Sequence, residues 1–284
     1  MAEVIQATTT PGLTFDVLSD GPEQGAPVLL LHGFAESFHT WDAQIAALAR
    51  VGYRAIAPSQ RGYSPGARPD PADTGNYIFD KLVDDPMQIA AQLALERFHL
   101  VGHDWGGSIA WGIADQYPER LASLTILSRP HPNAFNRALA LPDGEQKRRS
   151  RHHREFLEPG AASVVLENDA AWLRVRWDAA GVPKAAQEKH LAVLGNPAAM
   201  EAALAWYRAR GAIRAPLGVI RVPTLYIWGD ADDTVGAPAA EWTREFVSAP
   251  YEFAVLPGGG HFTADQMPGE VNALMLAHLR RNPM

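Results

Sequence analysis

The apolar run Phe98-His99-Leu100-Val101 passes through Gly102-His103-Asp104-Trp105-Gly106-Gly107 into a helical pattern bearing Ile109, Trp111, Ile113 and Ala114. A strand becomes a helix over so few residues only where small residues let the backbone turn sharply, and such a turn leaves one side chain projecting at the strand end. An unalternating apolar strand is covered on both faces. Val28-Leu29-Leu30-Leu31-His32, Arg54-Ala55-Ile56-Ala57 and Leu124-Thr125-Ile126-Leu127 are further strand patterns. Between them, helices are predicted from Trp41 to Arg50 and from about Phe79 to Leu95, the latter with Pro86 as a kink or break point. This alternation predicts an α/β fold with a doubly wound, mostly parallel sheet.

The rhythm breaks after Ser128. Arg129-Pro130-His131-Pro132 punctuates the chain, and the stretch to about Pro216 has helical spacing and no convincing strand. Strand patterns return at Thr224-Leu225-Tyr226-Ile227-Trp228 and Phe253-Ala254-Val255-Leu256, and a closing helix runs from about Glu270 to Leu279. The expected division is a core of residues 1–128 and 216–284 with a helical insertion over 129–215.

Several function classes are disfavoured. With 0 Cys there is neither a disulfide framework nor a thiolate metal site. A net charge of -7 disfavours nucleic acid, which rewards a basic face. No apolar run approaches the roughly 20 residues of a membrane span. The opening Met1-Ala2-Glu3-Val4 lacks a signal-peptide pattern, so a cytoplasmic setting is expected. His152 and His153 are adjacent and would diverge on a helix instead of chelating a metal. No metal or cofactor is expected.

Three features fall at strand ends, in the order nucleophile, acid, histidine. At the first, Asp104 stands where a serine could stand, and a carboxylate needs no base to attack because it is already ionised. Its attack on an sp3 carbon yields an alkyl ester that must then be hydrolysed. The second, Gly229-Asp230-Ala231-Asp232-Asp233, offers a carboxylate to orient a histidine and stabilise its protonated form. The third, Gly258-Gly259-Gly260-His261, places a ring that would activate the hydrolytic water. Backbone N–H groups of Phe34 and Trp105 are candidates for holding the developing oxyanion. Gly62-Tyr63-Ser64-Pro65-Gly66 also satisfies a serine-elbow pattern. Pro65 has no N–H to offer an oxyanion, however, so Ser64 reads as a loop residue.

The chain resembles the aspartate-nucleophile branch of α/β hydrolases, which includes epoxide hydrolases, haloalkane dehalogenases and fluoroacetate dehalogenases. His32-Gly33-Phe34, Gly102-His103-Asp104-Trp105-Gly106-Gly107 and Leu204-Ala205-Trp206-Tyr207-Arg208 look most like epoxide hydrolases. The resemblance implies that residues 129–215 form a cap, that Asp232 is the acid with Asp230 and Asp233 as turn residues, and that Tyr207 protonates the epoxide oxygen. It also implies that Phe34, Trp105 and Trp206 line the site of a largely apolar epoxide or halide. Ala35 stands where epoxide hydrolases usually carry proline. His152 stands at the place of a second cap tyrosine, as in fluoroacetate dehalogenases, whose histidine helps receive the halide. Arg149, Arg151 and Arg154 around it also suit a plain solvated basic face, and a Trp206-Tyr207 pair suits a plain core. A dehalogenase using the same aspartate is the competing expectation, with a ligand-binding protein on a hydrolase scaffold as the third.

Overall fold

The computed structural model describes residues 2–10, 12–211 and 216–284. Eight strands form one sheet in the order β1-β2-β4-β3-β5-β6-β7-β8. They are β1 (Glu3–Thr8), β2 (Thr14–Asp20), β3 (Pro27–Leu31), β4 (Arg54–Pro58), β5 (Phe98–His103), β6 (Leu121–Leu127), β7 (Thr224–Gly229) and β8 (Tyr251–Leu256). From β4 onward along that order every pairing is parallel, while β2 runs antiparallel to both β1 and β4. The mostly parallel α/β expectation therefore holds. The N-terminal hairpin is the part it missed, because Glu3–Thr8 is largely exposed and carries no apolar stripe.

Alternate residues of the central strands feed two cores. Val28, Leu30, Val101, Leu225 and Ile227 face α1 (Asp42–Arg50) and the closing helix Pro268–Arg281. Leu29, Leu31, Leu100, Ile126 and Tyr226 face α2 (Phe79–Gln92) and α3 (Asp104–Gln116). A strand buried on both sides must be apolar at every position, which is why these runs do not alternate. Fully burying each such side chain contributes about 1.5–3 kcal/mol. Pro86 lies inside α2 without ending it.

Between β6 and β7 the described chain is helical: α4 (Pro132–Leu139), α5 (Glu145–Arg149), α6 (His152–Glu155), α7 (Ala161–Ala179), α8 (Lys184–Leu194) and α9 (Pro197–Arg208). The expected end of the insertion, at 215, lies outside the described residues. The α7 helix is broken at 167–170, where Asn168, Asp169 and Ala170 take positive φ. Asn196 caps α9 by accepting from the Ala199 N–H at 2.9 Å, and Pro197 pre-sets its first turn. Phe156, Leu173, Trp177, Trp206 and Tyr207 join the same apolar cluster as α2 and α3, so this layer is packed onto the carboxyl ends of the strands. Among the described residues no helix is long and apolar enough to cross a membrane.

Candidate active site

The turn between β5 and α3 holds Asp104 at φ 48, in the left-handed region that side chains other than glycine rarely occupy. Two glycines make room for it. A Cβ on Gly106 would lie 2.1 Å from the Leu31 carbonyl oxygen, and one on Gly33 would lie 2.4 Å from Asp104 Cβ. The Phe34 N–H donates to Asp104 Oδ1 at 3.0 Å. Trp105 follows in the first turn of α3, where backbone N–H groups lack helical acceptors.

His261, on the loop after β8, places Nε2 3.7 Å from Asp104 Oδ2. That is too long for a hydrogen bond, so ring and carboxylate face each other untied. On its far side, Nδ1 lies 3.3 Å from Asp232 Oδ2, 2.9 Å from Ser128 Oγ and 2.7 Å from Thr234 Oγ1. Ser128 donates to Asp232 Oδ2 at 2.6 Å, and Thr234 donates to Asp232 Oδ1 at 2.8 Å. With both hydroxyl protons committed to the carboxylate, every group facing Nδ1 is an acceptor. The proton is thereby fixed on Nδ1, leaving the Nε2 lone pair toward Asp104. Burial raises the Asp232 pKa, but the charge and hydrogen bond of His261 and the bonds from Ser128 and Thr234 outweigh it. The carboxyl stays well below its ordinary range.

The other acids of that loop are engaged elsewhere. Asp230 accepts from the Gly258 N–H at 2.7 Å, and the exposed Asp233 pairs with Arg176 at 3.1 Å. Ser64 accepts from the Asp16 N–H at 2.7 Å, as a loop residue would. His32 accepts from the Gln60 N–H at 3.2 Å, and burial lowers its pKa to about 4.

Asp104 and His261 open onto a narrow cavity whose wall includes Phe34, His152, Phe156, Trp172 and Tyr207. Tyr207 is buried, with its ring edge-on to Phe34, Trp105 and Phe156 at 5.6, 5.2 and 4.9 Å. Burial first, and then the Asp104 charge, push its phenol well above the usual pKa. His152 faces this cavity instead of lying on a solvated basic face. Burial, followed by the nearby Arg176 charge, lowers its pKa to about 4. At neutral pH it offers a hydrogen bond, not a transferable proton. Trp206 does not line the cavity: its indole N–H donates to the Arg61 carbonyl at 3.0 Å, and Arg61 is itself held by Asp85 through two 2.6 Å bonds. This chain of contacts anchors α9 and so positions Tyr207.

Beneath the site lies a buried pair that the sequence pattern does not announce. His103 Nδ1 lies 2.9 Å from Glu36 Oε2, both side chains fully buried, and His103 Nε2 lies 2.9 Å from the His261 carbonyl oxygen. Ser128 and Thr234 are likewise site residues that sequence reasoning missed. For Thr234 the signal is its place two residues after Asp232; for Ser128 it is the strand end beside the insertion.

Residues 26–268 match the profile of the family described as alpha/beta hydrolase fold. The chain is 31% identical to epoxide hydrolase A of Mycobacterium tuberculosis over 95% of each chain. It is 32% identical to the AB hydrolase superfamily protein YfhM of Bacillus subtilis over 97% of each. Among solved structures, a metagenomic epoxide hydrolase from hot environments superimposes with a TM-score of 0.87 at 30% identity, covering 98% of both chains.

Proposed function

The chain belongs to the α/β-hydrolase fold family, in its epoxide-hydrolase branch, and from that premise we propose that it opens epoxides to vicinal diols through an ester on Asp104. The observation that carries this reading is a carboxylate fixed at one oxygen by the Phe34 N–H. Its other oxygen faces His261 Nε2 across a cavity walled by Tyr207. Asp104 Oδ2 attacks an epoxide carbon. The departing ring oxygen takes a hydrogen bond and then the proton from Tyr207, whose phenol is protonated at neutral pH. His152 assists as a neutral donor. Water then loses a proton to His261 and attacks the ester carbonyl, with the oxyanion held by the Phe34 and Trp105 N–H groups. Asp232 stabilises the imidazolium, which protonates the departing alkoxide as the tetrahedral intermediate collapses. The second water proton passes to the Tyr207 phenolate, so the diol leaves and Asp104, His261 and Tyr207 are restored. The proposal extends to residues 129–215 as a cap that excludes water and to a cytoplasmic setting for the enzyme.

His261→Ala enzyme mixed with styrene oxide is expected to gain the mass of one substrate on the peptide containing Asp104. An unmodified protein that still consumes the epoxide would overturn the covalent route. Halide release from haloacetates or haloalkanes, with no diol from any epoxide, would reassign the site to dehalogenation. Tyr207→Phe is expected to lower kcat/KM for epoxides by roughly 10²-fold, the lower end of what one positioned acid supplies. An unchanged value removes Tyr207 from the mechanism.

A further inference from the structure

Beyond Trp105 lies a larger cavity, about 170 Å3 and open to solvent, walled by Phe79, Phe135, Trp206 and Leu217. The Trp105 ring, on the wall of this cavity, is edge-on at 5.6 Å to Trp206 and at 5.2 Å to Tyr207, which lines the space over Asp104. Its polar lining is unusual. Arg129 and Arg210, both half-buried, share this wall with Ser108, Asn133 and Asn136.

Guanidinium groups drawn out of water are ordinarily paired with carboxylates, because an uncompensated charge there is costly. Arg61 follows that rule with Asp85. Among the described residues neither Arg129 nor Arg210 has a carboxylate partner, and the undescribed 212–215 (Ala-Ile-Arg-Ala) contains no acid. Arg129 stacks over the Phe135 ring at 4.3 Å, and its buried Nε has no acceptor among the described residues. Arg210 donates to His153 Nδ1, a neutral partner that cancels no charge. Ser108 Oγ is buried in the same wall with no hydrogen-bond partner among the described residues. Burial first, and then the Arg129 charge, lower the Arg210 pKa to about 10 against the opposing pull of Tyr207 and Asp104.

We infer that this cavity is the acid subsite of the enzyme, and that its substrates are epoxides carrying a carboxylate that Arg129 and Arg210 bind while Ser108 donates its hydroxyl proton. The inference rests on the epoxide reading above. Two guanidiniums at the polar end of a mostly apolar pocket suit a planar monoanion on a hydrocarbon chain. Orientation follows from charge: the carboxylate is repelled by Asp104 and drawn to the arginines, so the epoxide end is the one that reaches past Trp105 to the nucleophile.

The test compares terminal epoxy acids of graded chain length with their methyl esters. The best acid is expected to exceed its ester in kcat/KM by at least about tenfold, equivalent to about 1.4 kcal/mol. Arg129→Met and Arg210→Met should each collapse that ratio toward one, while Arg129→Lys retains part of it. The Met variants are expected to melt no lower than wild type, since each loses an unpaired charge, and this separates lost recognition from lost folding. Calorimetry with octanoate and octanamide reads the subsite without turnover: octanoate should bind more tightly, and only while both arginines are present. Turnover of neutral epoxides with an acid-to-ester ratio near one, or octanoate binding that survives both Met substitutions, overturns the acid subsite and leaves the epoxide reading standing. Arginine-dependent octanoate binding with no epoxide turned over keeps the subsite and overturns that reading instead.

Discussion

Asp104→Asn enzyme, assayed fresh with styrene oxide, is expected to form diol at least about 10⁴-fold more slowly than wild type, the scale on which removing a covalent nucleophile acts. Asparagine keeps the shape of the side chain and, like aspartate, tolerates the φ of 48 at this turn. The loss would therefore report the missing anionic oxygen and not a displaced backbone. His261, Asp232 and the Phe34 N–H remain in the variant, so whatever they achieve alone is the residual rate. A variant retaining more than a tenth of the wild-type rate would show that water attacks the epoxide directly.

The second large effect concerns folding. Glu36→Ala is expected to lose about 3 kcal/mol of stability, because it strips a fully buried histidine of its counter-charge. Burial alone would raise the Glu36 pKa and lower that of His103. Their mutual charge and hydrogen bond outweigh burial, so Glu36 is depressed and His103 raised. The histidine contribution is complete below its ordinary pKa of about 6.5 and is lost as pH climbs through the raised value. The glutamate contribution is complete above about 4.3 and is lost as pH falls through the depressed one. Wild type should thus weaken on either side of roughly pH 4.3–6.5 from this pair, while Glu36→Ala shows a flatter profile. Asp265, joined to His190 at 2.9 Å, works against the acid limb: burial first, and Glu36 against the pull of His190, raise its pKa to about 6. It therefore favours the folded state as pH falls, and less so once Glu36 is gone. Denaturant melts across pH that show parallel curves for the two proteins would remove the pair from the account.

How much was legible varies with the range of the cause. The parallel strands were readable because burial on both faces makes Leu29 and Leu30 equally apolar. Strand β1 was not, because its place at the sheet edge needs only backbone pairing with β2. The turn at Asp104 was visible because its small neighbours answer a local steric demand. Which acid of Gly229-Asp230-Ala231-Asp232-Asp233 would meet His261 depended on a loop geometry that only the fold supplies, and there Asp232 alone lies against the ring. By sequence His152 suits solvent equally well, because its arginine neighbours along the chain are not those in space; Arg176, from α7, is the charge it meets. Arg129 and Arg210 are 81 residues apart and carry no common motif, so their convergence was invisible before folding.

The backward-bent residue at the top of β5 has an evolutionary corollary. Glycine would sit at this bend without the roughly 1–3 kcal/mol that other residues forfeit there, so inactive descendants carrying Asp104→Gly would be sturdier than their parent. Drift unopposed by selection for turnover should therefore erode this position early, and lineages that keep an acid here are ones in which its chemistry is still being used.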